Sequence, residues 1–532
     1  MSDEDLASAA RTLRKLFSGD KSFDYFSSSA CRELRKAIGP FARHMQQRMY
    51  GGASGGKTEY ELKKDVQRER AARRAKIRAL DEAHIEKTKL RESRLKKLRT
   101  LMEGQDSSLP AIAPDGFVPD GAGESAIKDV GPNSTSKEAS KAKELHRPRA
   151  CYICKTRFTE LHEFYDRLCP SCAALNFEKR TQSCDLSSKV AIVTGGRVKI
   201  GFCVALKLLR WGASVIVTTR FPHDAAKRYA AETDFASFKD RLSIIGLDFR
   251  NVPAVEQFCT HLVSTLDRLD ILINNACQTI RRPAAYYAPL LGDEKAAPSE
   301  ACAPLLKSNA VFCALLSSAK RIKDGSVTSV AAPSSSQSQM VVLPEDAIAD
   351  HKDMPENARD VNGQQLDLRK RNTWIMKLEE VQSGEVAEVF AINAMVPFIL
   401  CSRLAPLMRR CGPDRRFIIN VSAMEGKFYR VKSEYHPHTN MAKAALNMLT
   451  RTSAQDLAKA GVFMNAVDTG WINDENPLEK AAAYAEKHKF QTPIDEVDAA
   501  ARILDPIAVG INRPNDPLKA GVFFKDYFET EW

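Results

Sequence analysis

Long apolar runs and an export signal are both missing from this sequence of 532 residues. No run of about 18 apolar residues occurs, which argues against a membrane-spanning helix. The first residues, MSDEDLASAARTLRKLF, lack the positive start, the apolar core and the cleavage site of a secretion signal. The sequence therefore predicts a soluble protein of the cytoplasm, with the nucleus as the alternative location, and no membrane contact.

A regular cysteine framework is missing as well, because the thirteen cysteines are unevenly spaced. Four of them form two C-x-x-C pairs in CYICKTRFTELHEFYDRLCPSC, namely Cys151, Cys154, Cys169 and Cys172. The fourteen residues between the pairs let two thiolate-bearing turns converge on one tetrahedral Zn²⁺ ion. Four thiolates would fill the coordination sphere, so we predict a structural zinc site that supplies folding free energy. His162 would be a ligand only if one cysteine were not.

The net charge of +12 is concentrated in residues 57–101, where sixteen Lys and Arg residues stand against eight Asp and Glu. Residues 59–102 contain no Gly or Pro and mix both charge signs at helical spacing, which predicts one long exposed helix or a pair of helices. A coiled coil is one arrangement that such helices adopt. Charge runs of mixed sign are typical of solvated faces, so we do not expect nucleic-acid binding. A protein partner would use these helices or the cysteine module.

From Leu186 onward, apolar β-branched runs alternate with amphipathic helices, which is typical of a doubly wound parallel α/β sheet. Residues 104–146, which precede the cysteine module, are rich in Gly, Pro, Ser and Asp and predict a disordered linker. The sequence thus predicts four parts: a basic helical region at 1–103, a linker at 104–148, a four-cysteine zinc module at 149–182 and a Rossmann-like domain at 183–532.

The stretch KVAIVTGGRVKIGFCVALKLLRWGASVIVTTRF, residues 189–221, predicts a strand, a Gly-containing turn, a helix and a second strand. Glycines let a pyrophosphate approach such a turn at the helix N-terminus. Here the sequence resembles the short-chain dehydrogenase/reductase family, whose turn reads T-G-x-x-x-G-x-G, although Lys199 replaces the middle glycine. The resemblance implies a cofactor-binding turn made of Thr194, Gly195, Arg197, Lys199, Ile200 and Gly201.

Other landmarks of the family follow in order. Arg220 ends the second strand, where a basic residue favours the 2′-phosphate of NADP over NAD. The resemblance implies further cofactor contacts at Asp248, Asn275, Ala276, Lys443 and Gly470. The next landmark, Asn393, comes far later than in the family, which indicates an insertion at about 280–370. The composition of this insertion favours disorder, with a lid or an interaction loop as alternatives.

The resemblance also implies catalytic roles for Ser422, Lys443 and Asn393, whereas the position of the family's catalytic tyrosine is occupied by Thr439. Three interpretations remain open. Tyr435, thirteen residues after Ser422, takes the role, with Tyr429 also nearby; Thr439, His436 or His438 substitutes; or the site binds its cofactor and no longer catalyses. Pro437 would interrupt a helix between Tyr435 and Lys443.

The resemblance therefore implies an NADP(H)-dependent oxidoreductase that transfers hydride to or from a carbonyl or alcohol, with NAD as the second cofactor candidate. The alternative is a catalytically impaired NADP(H)-binding interaction or scaffold protein that carries a structural zinc module. A homo-oligomer formed through the α/β domain is also expected.

Overall fold

The structure is a computed structural model whose residues group into two units, Met1–Ala83 and His84–Trp532. Besides scattered helical positions between 4 and 45, it describes residues 59–103, 144–318, 332–348, 352–356, 358–360, 362–410, 412, 415–428, 431–473, 475–481, 484 and 491–532. Most of the predicted linker at 104–148 therefore lies outside the described residues. Its last positions belong to a strand that begins at Glu144.

Helix α1, Glu59–Ile85, supplies most of the described residues of the first unit. Its sequence lacks helix-breaking residues, and opposite charges four positions apart form exposed ion pairs such as Arg78–Glu82, whose atoms are 3.0 Å apart. The predicted helix is present, and the coiled coil stays a prediction.

Helix α2, Lys89–Glu103, belongs to the second unit and is not the fully exposed helix that its charge pattern predicts. Arg94 donates from its two terminal nitrogens to the backbone oxygens of Thr492 and Ile494, at 2.5 and 2.6 Å. Leu90 is buried in the core of the cysteine module. The helix is thus packed against residues that lie hundreds of positions later in the chain.

The cysteine module consists of an antiparallel hairpin, β1 (Glu144–Ala150) and β2 (Arg157–Glu160), followed by helix α3 (Pro170–Thr181). Two buried side chains attach it to the α/β domain. The Tyr165 hydroxyl donates to Asp498 at 2.5 Å, and Arg180 donates to both carboxylate oxygens of Asp495 at 2.6 and 2.9 Å. Charge-assisted bidentate pairs of this kind fix orientation as well as distance.

The predicted doubly wound parallel α/β sheet is confirmed. Its strands run in the order β10-β9-β8-β7-β6-β3-β4-β5, and β10 is antiparallel to its neighbour while the other pairs are parallel. The strands are β3 Val190–Thr194, β4 Ser214–Thr219, β5 Leu242–Gly246, β6 Ile271–Asn274, β7 Arg416–Ser422, β8 Val462–Asp468, β9 Phe523–Lys525 and β10 Phe528–Thr530. Their apolar β-branched residues are buried on both faces, as a parallel sheet requires.

Helices cover both faces of the sheet, so the core forms two apolar layers. Helices α4 (Lys199–Arg210) and α11 (Glu496–Asn512) pack together on one face, and α6 (Val252–Thr265), α9 (Val396–Arg409) and α10 (Pro437–Ala458) lie on the other. The longer helices are α4 Lys199–Arg210, α5 Pro222–Ala230, α6 Val252–Thr265, α7 Lys307–Ser318, α8 Ser383–Phe390, α9 Val396–Arg409, α10 Pro437–Ala458 and α11 Glu496–Asn512.

Helices α8 and α9 are joined by a π-helical turn, Ala391–Met395, into one stretch of 27 residues. Among the described residues, this stretch alone has the length and composition of a membrane span, and half of its most apolar window is buried. Val396, Leu400 and Leu404 pack in the same apolar layer as α6. The stretch therefore serves as a core helix of the α/β domain.

The described part of the 280–370 insertion is folded, so the disorder predicted from its composition is wrong there. Phe312 of α7 is fully buried, with its ring 5.8 Å from that of Phe258. The side-chain oxygen of Asn309 accepts a hydrogen bond from the Gly246 amide at 2.7 Å, at the end of edge strand β5. The insertion thus shields a sheet edge with apolar side chains such as Phe312. The average composition of the insertion does not reveal these few apolar residues, and so it predicts disorder.

Candidate functional site

A cavity of about 1080 Å³ lies at the carboxyl ends of the parallel strands. Strand order reverses between β3 and β6, and a crevice at such a point is where open α/β sheets bind ligands. The lining includes these residues predicted for the site: Gly195, Arg197, Lys199, Ile200, Gly201, Arg220, Asp248, Asn275, Ala276, Ser422, Thr439, Lys443 and Gly470. The predicted residues Thr194, Asn393 and Tyr435 are not part of the lining in the described portion of the chain.

The turn after β3 needs its glycines for space. A Cβ atom on Gly201 would lie 2.2 Å from the Gly195 carbonyl oxygen, and one on Gly195 would lie 2.9 Å from the Ala276 Cα. Gly195 also has φ +69°, a left-handed conformation that favours glycine. Helix α4 begins directly after this turn, so its free N–H groups face the cavity end of the sheet.

Thr194 supports this turn from below. Its hydroxyl accepts hydrogen bonds from the amides of Asn275 and Ala276, both at 2.9 Å, and donates to the Ile273 carbonyl at 3.2 Å. The Thr194 side chain therefore joins β3 to the end of β6. It positions cavity residues and does not itself reach the cavity.

The end of the cavity near β4 carries two arginines in defined positions. Arg220 donates to the Tyr287 hydroxyl at 2.8 Å, and its guanidinium lies 4.3 Å from the Tyr287 ring centre. Arg197 donates to Asp224 at 2.7 Å. Because Tyr287 belongs to the insertion, the insertion closes this end of the cavity.

Asp248 lies in the same region and is fully engaged. It is bound by Arg250, whose nearest nitrogen is 2.7 Å from a carboxylate oxygen. Burial acts to raise the pKa of Asp248, but the Arg250 hydrogen bonds and charge outweigh it and hold the pKa below its usual range. Asp248 therefore stays a carboxylate and offers an acceptor to the cavity.

Ser422 and Lys443 meet at the opposite end. Lys443 donates from Nζ to the Val421 carbonyl at 2.8 Å, and Ser422 donates to the Asn447 side-chain oxygen at 2.5 Å. Thr439, one turn before Lys443 on α10, is buried, and its hydroxyl has no hydrogen-bond partner among the described residues. A buried hydroxyl without a partner is uncommon and is costly unless a ligand or a water satisfies it.

Asn393 lies within the π-helical turn and braces a cavity loop. Its side chain accepts from the Gln278 amide at 2.8 Å and donates to the Gln278 carbonyl at 3.0 Å. Gln278 lines the cavity. Asn393 therefore acts on the cavity through Gln278 and does not line it itself.

The structure does not bring Tyr435 to the cavity. Tyr435 is 37% exposed and precedes the start of α10 at Pro437. His436 between them has φ +43° and stacks on the Trp374 ring at 3.9 Å. His438 is buried, with Nε2 3.8 Å from Glu385. Tyr429 lies outside the described residues.

Reasoning from the sequence missed many cavity residues, among them Tyr152, Asp468 and Lys525. Tyr152 lies in the cysteine module, and its hydroxyl accepts from the Trp471 amide at 2.9 Å. Lys525 Nζ is 3.8 Å from Asp468, whose pKa burial raises above its usual range. A separation of 319 positions between Tyr152 and Trp471 leaves no local sequence signal for this contact.

The four predicted cysteines converge. The sulfur atoms of Cys151, Cys154, Cys169 and Cys172 all lie within 4.8 Å of one another. Tetrahedral Zn–S bonds of about 2.3 Å separate neighbouring sulfurs by about 3.8 Å, so the cluster fits one ion. His162 is not part of it, because its ring packs against Tyr165 and its Nδ1 accepts from the Phe164 amide at 3.0 Å.

Family models match two segments of the α/β domain. The family model described as short chain dehydrogenase matches residues 189–289, and the one described as Enoyl-(Acyl carrier protein) reductase matches residues 370–510. The residues between these matches belong to the insertion.

Two curated relatives differ in how much of them is matched. An uncharacterized protein of Acanthamoeba polyphaga mimivirus is 32% identical over 373 residues, which cover 68% of this chain and 71% of that protein. Dehydrogenase/reductase SDR family member 13 of Bos taurus is 33% identical over 102 residues, which cover 18% of this chain and 27% of that protein.

Solved structures are similar at lower identity. A metagenomic short-chain oxidoreductase in complex with NADP is 18% identical with a TM-score of 0.37, covering 64% of this chain and 98% of that chain. A dehydrogenase/reductase from Sinorhizobium meliloti is 20% identical with a TM-score of 0.39, covering 66% of this chain and 96% of that chain.

Proposed function

The chain belongs to the short-chain dehydrogenase/reductase family, and from this premise we propose that it is an NADP(H)-dependent oxidoreductase acting on a carbonyl or alcohol substrate. The observation that carries the proposal is the single cavity that reaches from the Gly195–Gly201 turn to Ser422 and Lys443. Glycines that cannot accept a Cβ atom stand at one end of it, and a buried ammonium and hydroxyls stand at the other.

The chemistry of the cavity walls supports a phosphorylated dinucleotide. The N-terminus of α4 and the Lys199 ammonium would hold the pyrophosphate. Arg220 and Arg197 would hold the 2′-phosphate, because guanidinium groups bind phosphate through paired N–H donors. Asp248 would accept from the adenine amino group. These contacts favour NADP(H), with NAD(H) as the weaker ligand.

Bound NADPH would supply the hydride, and the chain's own residues would hold the substrate oxygen. Lys443 would contact the nicotinamide ribose and bring a positive charge beside Ser422. Ser422 and Thr439 would place their hydroxyls on the substrate oxygen. A threonine hydroxyl is a poor proton donor at neutral pH, so its role is to orient a substrate or a water molecule that carries the proton. Asn393 would keep Gln278 in place.

We further propose that the four cysteines hold a structural Zn²⁺ ion. Support comes from the clustering of the four sulfur atoms, and from a closed ligand set that leaves no position for a substrate. The metal would stabilise a module whose own apolar core is small.

The function is tested by measuring NADPH binding by fluorescence and NADPH oxidation with a broad panel of aldehydes and ketones. We expect binding and turnover in the wild type, and a Lys443→Ala variant slowed by about 100-fold or more, the size of contribution usual for groups that assist proton transfer. Lys459→Ala, on the exposed end of the same helix, is the matched control and should retain full activity.

Two results would contradict the proposal in different ways. Unchanged turnover in Lys443→Ala would remove the proposed role of that residue. Tight NADPH binding without oxidation by any member of the panel would leave a protein that binds the cofactor and does not catalyse.

A further inference from the structure

The first cysteine turn, residues 151–154, forms part of the cavity wall. Tyr152 and Ile153 line the cavity, and Lys155 follows them there. The Tyr152 hydroxyl accepts from the Trp471 amide at 2.9 Å, and a Cβ atom on Gly470 would lie 3.5 Å from that hydroxyl. The module therefore forms part of the cavity wall beside the loop that follows β8.

The position of Tyr152 depends on the metal-binding turn. Tyr152 lies between two of the four clustered cysteines. The turn closes through hydrogen bonds from the Cys151 amide to Thr156 O at 2.9 Å and from the Lys155 amide to Cys151 O at 3.1 Å. Lys155 has φ +65°, which a non-glycine residue adopts only when the surrounding structure imposes it. An ion bound to the four sulfurs would impose it.

The rest of the module is anchored independently of the cysteines. Tyr165 and Arg180 attach it to Asp498 and Asp495 of the α/β domain. Loss of the metal would therefore release the first cysteine turn without detaching the module, and Tyr152 would leave the cavity wall.

We propose that this metal-held turn is part of the nicotinamide end of the cofactor site, with Tyr152 as a contact residue for the nicotinamide half of NADP(H). This inference rests on the proposed function. The resemblance to the family implies that Gly470 contacts the nicotinamide carboxamide, and the Tyr152 hydroxyl lies beside Gly470. Within the described residues, the Tyr152 hydroxyl accepts one hydrogen bond and donates to no protein group, so its hydrogen is available to a ligand. Occupancy of the metal site then sets the affinity for the cofactor.

The experiment separates the two halves of the cofactor. The dissociation constants of NADPH and of 2′,5′-ADP, which lacks the nicotinamide, are measured on the full chain by fluorescence and calorimetry. Three forms are compared with the zinc-loaded wild type, whose metal content is checked by mass spectrometry: Tyr152→Phe, the chelator-treated chain, and Tyr165→Phe as the matched control.

Tyr152→Phe should bind NADPH about three- to tenfold more weakly, the effect of one lost hydrogen bond, and should bind 2′,5′-ADP within about twofold of the wild type. Chelation should produce at least the same selective loss, and added Zn²⁺ should restore NADPH affinity. Tyr165→Phe should lower the melting temperature, because it removes a buried hydrogen bond to Asp498, but should leave the ratio of the two affinities unchanged.

An unchanged NADPH affinity in Tyr152→Phe would overturn the inference, as would an equal loss for both ligands, which a merely structural role would produce. A wild type that binds neither NADPH nor 2′,5′-ADP would instead overturn the proposed function on which the inference rests. The two kinds of failure are therefore distinguishable.

Discussion

Lys199 stands where the family's turn has a glycine, and its φ of +54° lies in the left-handed region that favours glycine. A non-glycine residue in this region costs roughly 1–2 kcal/mol. The turn tolerates that strain because Gly195 and Gly201 on either side preserve the close contacts with Ala276 and with each other. The substitution replaces a conformationally free glycine with a lysine, whose charged side chain lines the cavity.

Asp468 is the second unusual residue of the site, and it gives the protein a testable pH dependence. Burial raises its pKa above the usual range, despite the nearby Lys525, so the folded state favours the protonated form. Its contribution to stability is therefore full below the usual aspartate pKa and is lost as pH rises through the raised value. We expect Asp468→Asn, which cannot ionise, to gain stability relative to the wild type as pH rises above the usual aspartate pKa.

The measurement is urea unfolding of both proteins at a series of pH values between about pH 4, the usual aspartate pKa, and about pH 8. The stability difference should grow with pH, because only the wild-type side chain ionises. The Asn oxygen can still accept from the Gly470 amide, so this hydrogen bond is kept in the variant. Asp240→Asn, at an exposed position, should change stability by less than about 0.5 kcal/mol at every pH. A difference between Asp468→Asn and the wild type that shrinks as pH rises would contradict the assignment.

At the scale of elements, the insertion is held by a buried cluster of ions. Arg281 donates to Asp346 at 2.5 Å, to Glu345 at 2.9 Å and to Glu388 at 2.8 Å, and only 3% of its side chain is exposed. The cluster joins two ends of the insertion to helix α8. Removal of the cation alone would leave the buried Asp346 carboxylate with backbone donors only, and would take one of two arginine partners from Glu388, which is strongly destabilising.

We therefore expect Arg281→Ala to lower the free energy of unfolding by about 3–5 kcal/mol, and to make residues 332–348 more sensitive to limited proteolysis. Arg403→Ala is the matched control, since Arg403 pairs with Glu256 on the surface at 2.8 Å, and it should change stability by about 1 kcal/mol or less. Equal effects of the two substitutions would show that the cluster does not hold the insertion.

This cluster also explains why the sequence predicts some elements and not others. Local sequence patterns predict the strands and the glycine turn; examples are the alternation from Leu186 onward and the spacing of Gly195 and Gly201. Arg281 and Glu388 are 107 positions apart, and no local pattern connects them. A prediction based on composition averages the polar residues of the insertion with the few apolar ones, such as Phe312, that fix it to the core.

The residues of the candidate site also fall into those that the sequence predicts and those that it does not. The residues that the family resemblance names lie on strand ends or helix starts, whose order along the chain fixes their place in the sheet. Tyr152 comes from a separate module, and its place depends on how that module docks. Tyr435 has the right spacing along the chain, but the helix that carries Lys443 begins only after it, at Pro437.

At the scale of the whole molecule, the parts of the second unit that the sequence suggests are separate form one body. Arg94 of α2 reaches the segment before α11, and Arg180 of the cysteine module reaches the start of α11. These contacts make the module, the basic helix and the α/β domain mutually dependent. The cavity itself is lined by the cysteine module and the α/β domain, so loss of the contacts between these two should affect it.

The last question at this scale is whether copies of the chain associate. Helices α9 and α10 pack side by side, and each exposes large apolar side chains. Phe398 is 56% exposed on α9, and Met441 and Met448 are 56% and 59% exposed on α10. Single exposed apolar residues are ordinary, whereas several large ones on two neighbouring helices favour an interface there. We expect a homodimer or larger oligomer formed through these two helices.

Light scattering coupled to size-exclusion chromatography tests this expectation. Phe398→Glu should convert the oligomer to a monomer, because an interface of the usual 1,200–2,000 Å² (roughly) cannot bury an unpaired carboxylate at its centre without a large loss of affinity. Val311→Glu, at an equally exposed apolar position on α7, should leave the assembly unchanged. NADPH affinity should stay the same in both variants, since neither residue lines the cavity. A wild type that is monomeric at micromolar concentration would contradict the interface, and an oligomer that survives Phe398→Glu would assign it to a different surface.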